Sequence, residues 1–367
     1  MPILRDAQFS RSGMQIDASV ELLDNPTYQT DERDTMSFQP LGTLDVYVLG
    51  SDLNLWLEHS VNGKFGQVPP PREQVDGNVI GFRALSSTEA VVLGLDRNLW
   101  MEHAHSASRV WFAVPPPREQ VDGNVNGFHV VDENTIYVAG SDGKLWLEHS
   151  INGKFGQVPP PRELVEVNLS FFQPLDENTI YILFLDGNLW LEHSVNGKFG
   201  QFPPPGEQVD GNVAGFQALD ENTVYVAGSD GKLWLEHSIN GKFGQVPPPR
   251  EQVDGNVVGF QALDENTVYV LGSDFKLWLE HSINGKFGQV PPPRELVDGN
   301  VTSFKALDQN TIYVLGLDGK LWLEHSINGK FGQVPPPREQ VDAHVFIPGI
   351  PGTAEPSSGV PNANGDT

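Results

Sequence analysis

The sequence predicts an all-β fold, a seven-bladed β-propeller with four antiparallel strands per blade, and three observations carry that expectation. The phrase Trp-Leu-Glu-His, once Trp-Met-Glu-His, returns at Trp56, Trp100, Trp146, Trp190, Trp234, Trp278 and Trp322. Successive copies lie 44 residues apart, except for one interval of 46 between Trp100 and Trp146, and a fixed period of that size marks a tandem architecture rather than one irregular core. Each copy alternates short runs of Val, Ile, Leu, Tyr, Phe and Trp with turn residues, and none shows an apolar stripe at helical spacing.

The repeat beginning at Asn256 shows the elements in order. Val257 to Leu263 reads as the first strand, Val268 to Gly272 as the second and Leu277 to Ser282 as the third. The turn between the second and third strands carries Asp-Gly in several copies, as at Asp142-Gly143, Asp230-Gly231 and Asp318-Gly319. Asn-Gly follows the third strand, as at Asn152-Gly153, Asn240-Gly241 and Asn284-Gly285; both pairs suit the left-handed conformations of tight hairpins. The triple prolines, from Pro69–Pro71 to Pro335–Pro337, cannot donate to a ladder and so belong to an edge or a connection. That makes the fourth strand peripheral. An open β solenoid is the competing architecture, but its rungs are usually shorter and lack hairpins throughout.

Composition narrows the functions. The 367 residues carry 23 Lys plus Arg against 48 Asp plus Glu, a formal charge of −25, which repels a phosphate backbone and argues against nucleic acid. With no cysteine, there are no disulfides and no thiolate nucleophiles or ligands. No apolar run is long enough to span a bilayer, and the amino terminus lacks the apolar region of a signal peptide. The expectation is a soluble chain without membrane insertion, cytoplasmic or exported without a signal peptide. Residues 1–37 read as an amino-terminal extension whose stretch from Met14 to Leu23 could pair with a blade and help close the ring. Residues 38–347 read as the propeller, and 348–367 as a disordered tail rich in Pro, Ser, Gly and Asn.

The string Gly-Ser-Asp-Gly-Lys-Leu-Trp at Gly140 to Trp146, with copies from Gly228 and Gly316, resembles the Gly-x-Asp-Gly-x-Leu-Trp signature of β-propeller lectins of the tachylectin and bacterial fucose-binding types. The resemblance spans the repeats and implies shallow glycan pockets between adjacent blades, each with an aromatic ring and a few polar groups. The chain departs from those families in its outer strand, Pro-Pro-Pro-Arg-Glu, and in the Leu-Glu inserted between Trp and His.

The repeated polar and aromatic residues are the candidate sugar-binding set. They are Trp56, Glu58 and His59; Trp100, Glu102 and His103; Trp146, Glu148 and His149; Trp190, Glu192 and His193; Trp234, Glu236 and His237; Trp278, Glu280 and His281; and Trp322, Glu324 and His325. A carboxylate can accept two sugar hydroxyls beside a His donor over an indole platform. The competing reading makes the indole a wedge between blades and ties Glu or His to turn amides or to the next blade's Arg. Strand alternation puts Trp146 and Glu148 on one side and Leu145, Leu147 and His149 on the other. Lys154, Arg162 and Glu163 and their copies read as a solvated charged face or as ligand contacts.

Three irregularities interrupt the pattern. Repeat two carries His103-Ala-His105 and a longer connection to Trp111, repeat three ends in Val165-Glu166-Val167-Asn168, and repeat four has Gly206 in place of Arg. Two alternating histidines without a third ligand do not make a metal site, and no cofactor is implied. Every titratable group of the repeat has near twins, whereas an active site needs an asymmetric set, so no catalytic residue is assigned. Several weak sites on one disc favour a multivalent lectin acting by avidity on glycans or glycoconjugates. The alternative is a non-catalytic protein-interaction scaffold.

Overall fold

A computed structural model describes residues 37–65, 67–105, 111, 114–155, 157–199 and 205–345. They form seven four-stranded antiparallel sheets, with consecutive strands as neighbours in every sheet. The blades span residues 38–76, 79–122, 125–167, 169–210, 213–254, 257–299 and 301–342. The chain is a seven-bladed β-propeller, and among the described residues there is no helix and so none that could cross a membrane. In blade 3 the strands are Val125–Asp132, Thr135–Gly140, Lys144–His149 and Arg162–Val167. First strands of successive blades approach one another and line the centre, while the fourth strands, entered through the triple prolines, form the rim.

The turns obey the chemistry of their residues. Asn152 and Gly153 have φ of 53° and 73°, both in the left-handed region that a two-residue hairpin needs. Gly143 holds φ 76° in the preceding turn, but Leu53, Arg97 and Phe275 occupy the equivalent position at 61°, 63° and 60°. A side chain there is strained. Phe275→Gly is therefore expected to raise stability by about 0.5–1 kcal/mol, measured by denaturant unfolding; a loss would contradict the assignment of strain.

Between every pair of blades lies an apolar layer. Leu145, Leu147, Val165 and Tyr137 of blade 3 pack on Phe172, Ile180, Ile182 and Phe199 of blade 4, all buried. Hydrogen bonds stitch the same layers. Gln261 Nε2 donates to the Ala306 carbonyl at 3.0 Å and its Oε1 accepts from Ala306 N at 2.7 Å. The Tyr269 hydroxyl donates to the Asp308 carbonyl at 3.2 Å. Glu295 Oε2 accepts from Phe331 N at 2.9 Å. Such ties satisfy polar atoms that burial would otherwise penalise. Among the described residues, blade 1 meets blade 7 through the bridge between Gly50 and Val345 and through Glu339, which accepts from Phe65 N at 2.9 Å. The stretch from Met14 to Leu23, expected to help closure, lies outside the described residues, as do 348–367.

Candidate functional site between the blades

The seven Trp-Glu pairs sit where one blade meets its predecessor. In every blade the pairing of third and fourth strands shifts register between the Leu and the Trp, a bulge that re-aims the strand. In blade 6 it sets Trp278 opposite Leu296 and Glu280 opposite Arg294. Arg294 then folds back over the indole, its guanidinium carbon 4.1 Å from the Trp278 ring centre. The same head group reaches Glu280 Oε1 at 3.4 Å and Asp254 Oδ2 of blade 5 at 3.2 Å. Asp254 is itself fixed by accepting from Gly255 N at 2.7 Å. Trp, Arg and Glu of one blade and Asp of the blade before it therefore form a four-residue clamp.

Six blades build this clamp. Arg72 covers Trp56, Arg118 covers Trp100, Arg162 covers Trp146, Arg250 covers Trp234, Arg294 covers Trp278 and Arg338 covers Trp322, at 4.0–4.2 Å. Their partners are Glu58 with Asp342, Glu102 with Asp76, Glu148 with Asp122, Glu236 with Asp210, Glu280 with Asp254 and Glu324 with Asp298. The glutamates are buried, the indoles are half-buried and the arginine side chains are 28–32% exposed. A guanidinium stacked on an indole between an aspartate and a second carboxyl group has its charge and planar face matched at once.

The clamp is electrically unusual. Burial first, and the neighbouring Asp second, push Glu58, Glu102, Glu148, Glu236, Glu280 and Glu324 up to about 9, and Arg offsets this only in part. These glutamates are therefore protonated at neutral pH when folded, although the unfolded chain ionises them near 4.5. Between those values the native state holds more protons than the unfolded state, so stability falls as pH rises through the window. The aspartates that are shifted downward, Asp142, Asp230, Asp274 and Asp318, have ordinary values of 3.8 and act below it. The melting temperature is thus expected to be higher near pH 5 than near pH 9; a flat or rising profile in calorimetry would show that the glutamates ionise freely.

The histidines do not join the Trp-Glu pairs. His59 Nδ1 lies 2.9 Å from Asp45 and its Nε2 3.5 Å from Glu73, and Glu73 also accepts from Trp111 N of blade 2 at 2.6 Å. His59 therefore faces blade 2, whereas Trp56 and Glu58 face blade 7. His103 approaches Glu89 at 3.6 Å. His149, His193, His237, His281 and His325 are half-buried and pair on their ladders with Thr135, Thr179, Thr223, Thr267 and Thr311. Among the described residues, no group of three or more His, Cys, Asp or Glu could hold a metal ion.

Arg162 and Glu163, expected on a solvated face or at a ligand, are inter-blade ties. Arg162 belongs to the clamp, and Glu163 Oε2 accepts from Phe199 N at 2.9 Å. Lys154 is solvated, its side chain 75% exposed. The competing reading ties Glu or His to turn amides or to the next blade's Arg; the arginine that reaches each clamp Glu belongs to the same blade and also covers its indole. At the clamp between blades 2 and 3, an open cleft of ≈ 410 Å³ is lined by Asp122, Asn124, Ser141, Asp142, Trp146, Pro159 and Arg162.

No family model and no curated protein matches the chain. Among solved structures it is similar to the WD40 β-propeller domain of Doa1, with 12% identity over 81% of this chain and 94% of that one and a TM-score of 0.48. The propeller assignment rests on the sheet topology itself.

Proposed function

We propose that the chain is a non-catalytic protein-interaction propeller. The observation that carries this reading is the occupation of the Trp-Glu sets: in six clamps the chain's own arginine covers the indole, and the carboxyl groups are turned inward. Groups that seven equivalent sugar sites would need are thereby engaged within the fold. What six of the blades offer instead is an apolar residue on the third-to-fourth connection. There Val61, Ile151, Val195, Ile239, Ile283 and Ile327 are 38–47% exposed, and blade 2 has His105 at this place. Such apolar residues within polar surroundings suit a protein surface, and a net charge of −25 favours a basic one.

A second reading, a multivalent lectin, is favoured by the cleft beside Trp146. There Asn124, Asp142 and Arg162 line the cleft with Trp146, and a sugar ring with two or three hydroxyls fits such a shallow polar site. Two screens with the full chain decide between the readings: a display library of random peptides and a glycan array, each followed by calorimetry on the best binder. Peptides that saturate one site per chain support the interaction propeller. A sugar class that fills several equivalent sites, with no peptide selected, would replace it with the lectin.

A further inference from the structure

The clamp fails in one blade, and three irregularities of sequence meet where it fails. Gly206 stands where the other blades have Arg, Glu166-Val167 replaces Asp-Gly in the preceding blade, and Phe184-Leu185 replaces the Gly-Ser or Gly-Leu of the neighbouring turn. The fold brings them together between blades 3 and 4. Gly206 pairs with Glu192 on the ladder, and a Cβ at 206 would lie 2.9 Å from Glu192 Cγ and 3.6 Å from Trp190 Cε3. Leu185 N donates to the Asn168 carbonyl at 3.3 Å, which lays the turn against the end of blade 3.

What remains is a clamp without its cation. Among the described residues, no Lys or Arg stands over the Trp190 ring and none forms an ion pair with Glu192 or Glu166. Glu192 is 3% exposed, and its Oε2, like that of the glutamate in each complete clamp, has no hydrogen-bond partner. Glu166 is 4% exposed, with Oε1 accepting from Val167 N at 2.8 Å. Burial and the charge of Glu166 push Glu192 up to about 8, in a site where nothing positive offsets them. The adjoining surface is apolar, with Phe184 half-buried and Leu185 73% exposed.

We propose that the junction between blades 3 and 4, where the arginine is missing, receives the guanidinium of an arginine side chain presented by a partner polypeptide. The six complete clamps show the pose within this same chain: the planar head group lies on the indole and bridges a carboxyl of each blade. In the incomplete clamp Trp190 supplies the ring, Glu192 and Glu166 supply the two carboxyl groups, of which Glu192 ionises as the cation arrives, and Phe184 and Leu185 stand at the neighbouring turn. An ammonium lacks the planar face that lies on the indole. A neutral ligand leaves the acid pair uncompensated. One such site per chain also explains how a disc of near-identical blades can hold a partner in a single orientation. The inference deepens the interaction reading and rests on it.

The test uses the full chain labelled with 5-fluorotryptophan, with the Trp190 resonance assigned through Trp190→Phe, and titrates it with N-acetyl-arginine amide. The expected result is a saturable shift of the Trp190 signal with one site per chain. Binding by N-acetyl-citrulline amide or by Glu192→Gln should be weaker by at least tenfold or so. Gly206→Arg should abolish the shift by filling the clamp from within, and its melting temperature checks that it folds; if it does not, Glu166→Gln with Glu192→Gln takes its place. No shift with arginine, an equal response to citrulline, or a response that survives Gly206→Arg overturns the proposal. Display peptides that bind Gly206→Arg and the parent chain equally would overturn the arginine site while leaving the interaction reading in place.

Discussion

Trp234→Ala is expected to cost the propeller about 3 kcal/mol, at the low end for removing a large aromatic because the indole is half-buried. The loss has two sources. The apolar area between strand and guanidinium disappears, and Arg250, 4.1 Å above the ring, loses the surface that orients it toward Glu236 and Asp210. Denaturant unfolding measures the change. If the fold keeps its stability and a bound sugar is lost instead, the indole is a ligand platform and the clamp has been misread.

Arg294→Ala is expected to cost about 2–4 kcal/mol, more than a surface ion pair is worth, because it leaves the buried Asp254 without its cation and takes a hydrogen-bond donor from the protonated Glu280. Glu280 is fully buried and Asp254 nearly so, and Arg294 is the cation between them. Glu280→Gln, by contrast, should alter stability by under about 1 kcal/mol near neutral pH, since the native glutamate is already protonated and an amide replaces it closely in shape. It should also flatten the share of the pH profile that this blade contributes. Unfolding of both variants at pH 7 supplies the comparison; equal losses would mean that Glu280 is ionised in the native state.

The period, the hairpin turns and the peripheral prolines were legible in the sequence because each depends on local rules. Asn-Gly and Asp-Gly fix their own turns, and seven copies fix the number of blades. Strand alternation even separated Trp146 and Glu148 from His149, as the structure does in placing His59 toward blade 2 and Trp56 toward blade 7. The clamp was less legible because its parts lie at two separations. Arg162 returns to the Trp146 of its own blade through the Pro-Pro-Pro connection, whereas Asp122 arrives from the blade before. One signal did point to it. Glu166 and Gly206 are separated by 40 positions, as are Asp122 and Arg162, so the two irregular repeats are irregular at a single junction. Sequence reading expected altered sites between these blades; only the register between them makes Glu166 and Gly206 partners.

The clamp between blades 5 and 6 tests the account most directly, through a double-mutant cycle of Arg294→Ala and Asp254→Ala read as unfolding free energies. A tie across blades predicts a coupling of about 1–3 kcal/mol, with the double variant less damaged than the sum of the singles. Strictly additive losses would mean that the arginine does not bind the blades together and that the Trp-Glu sets are free for another ligand.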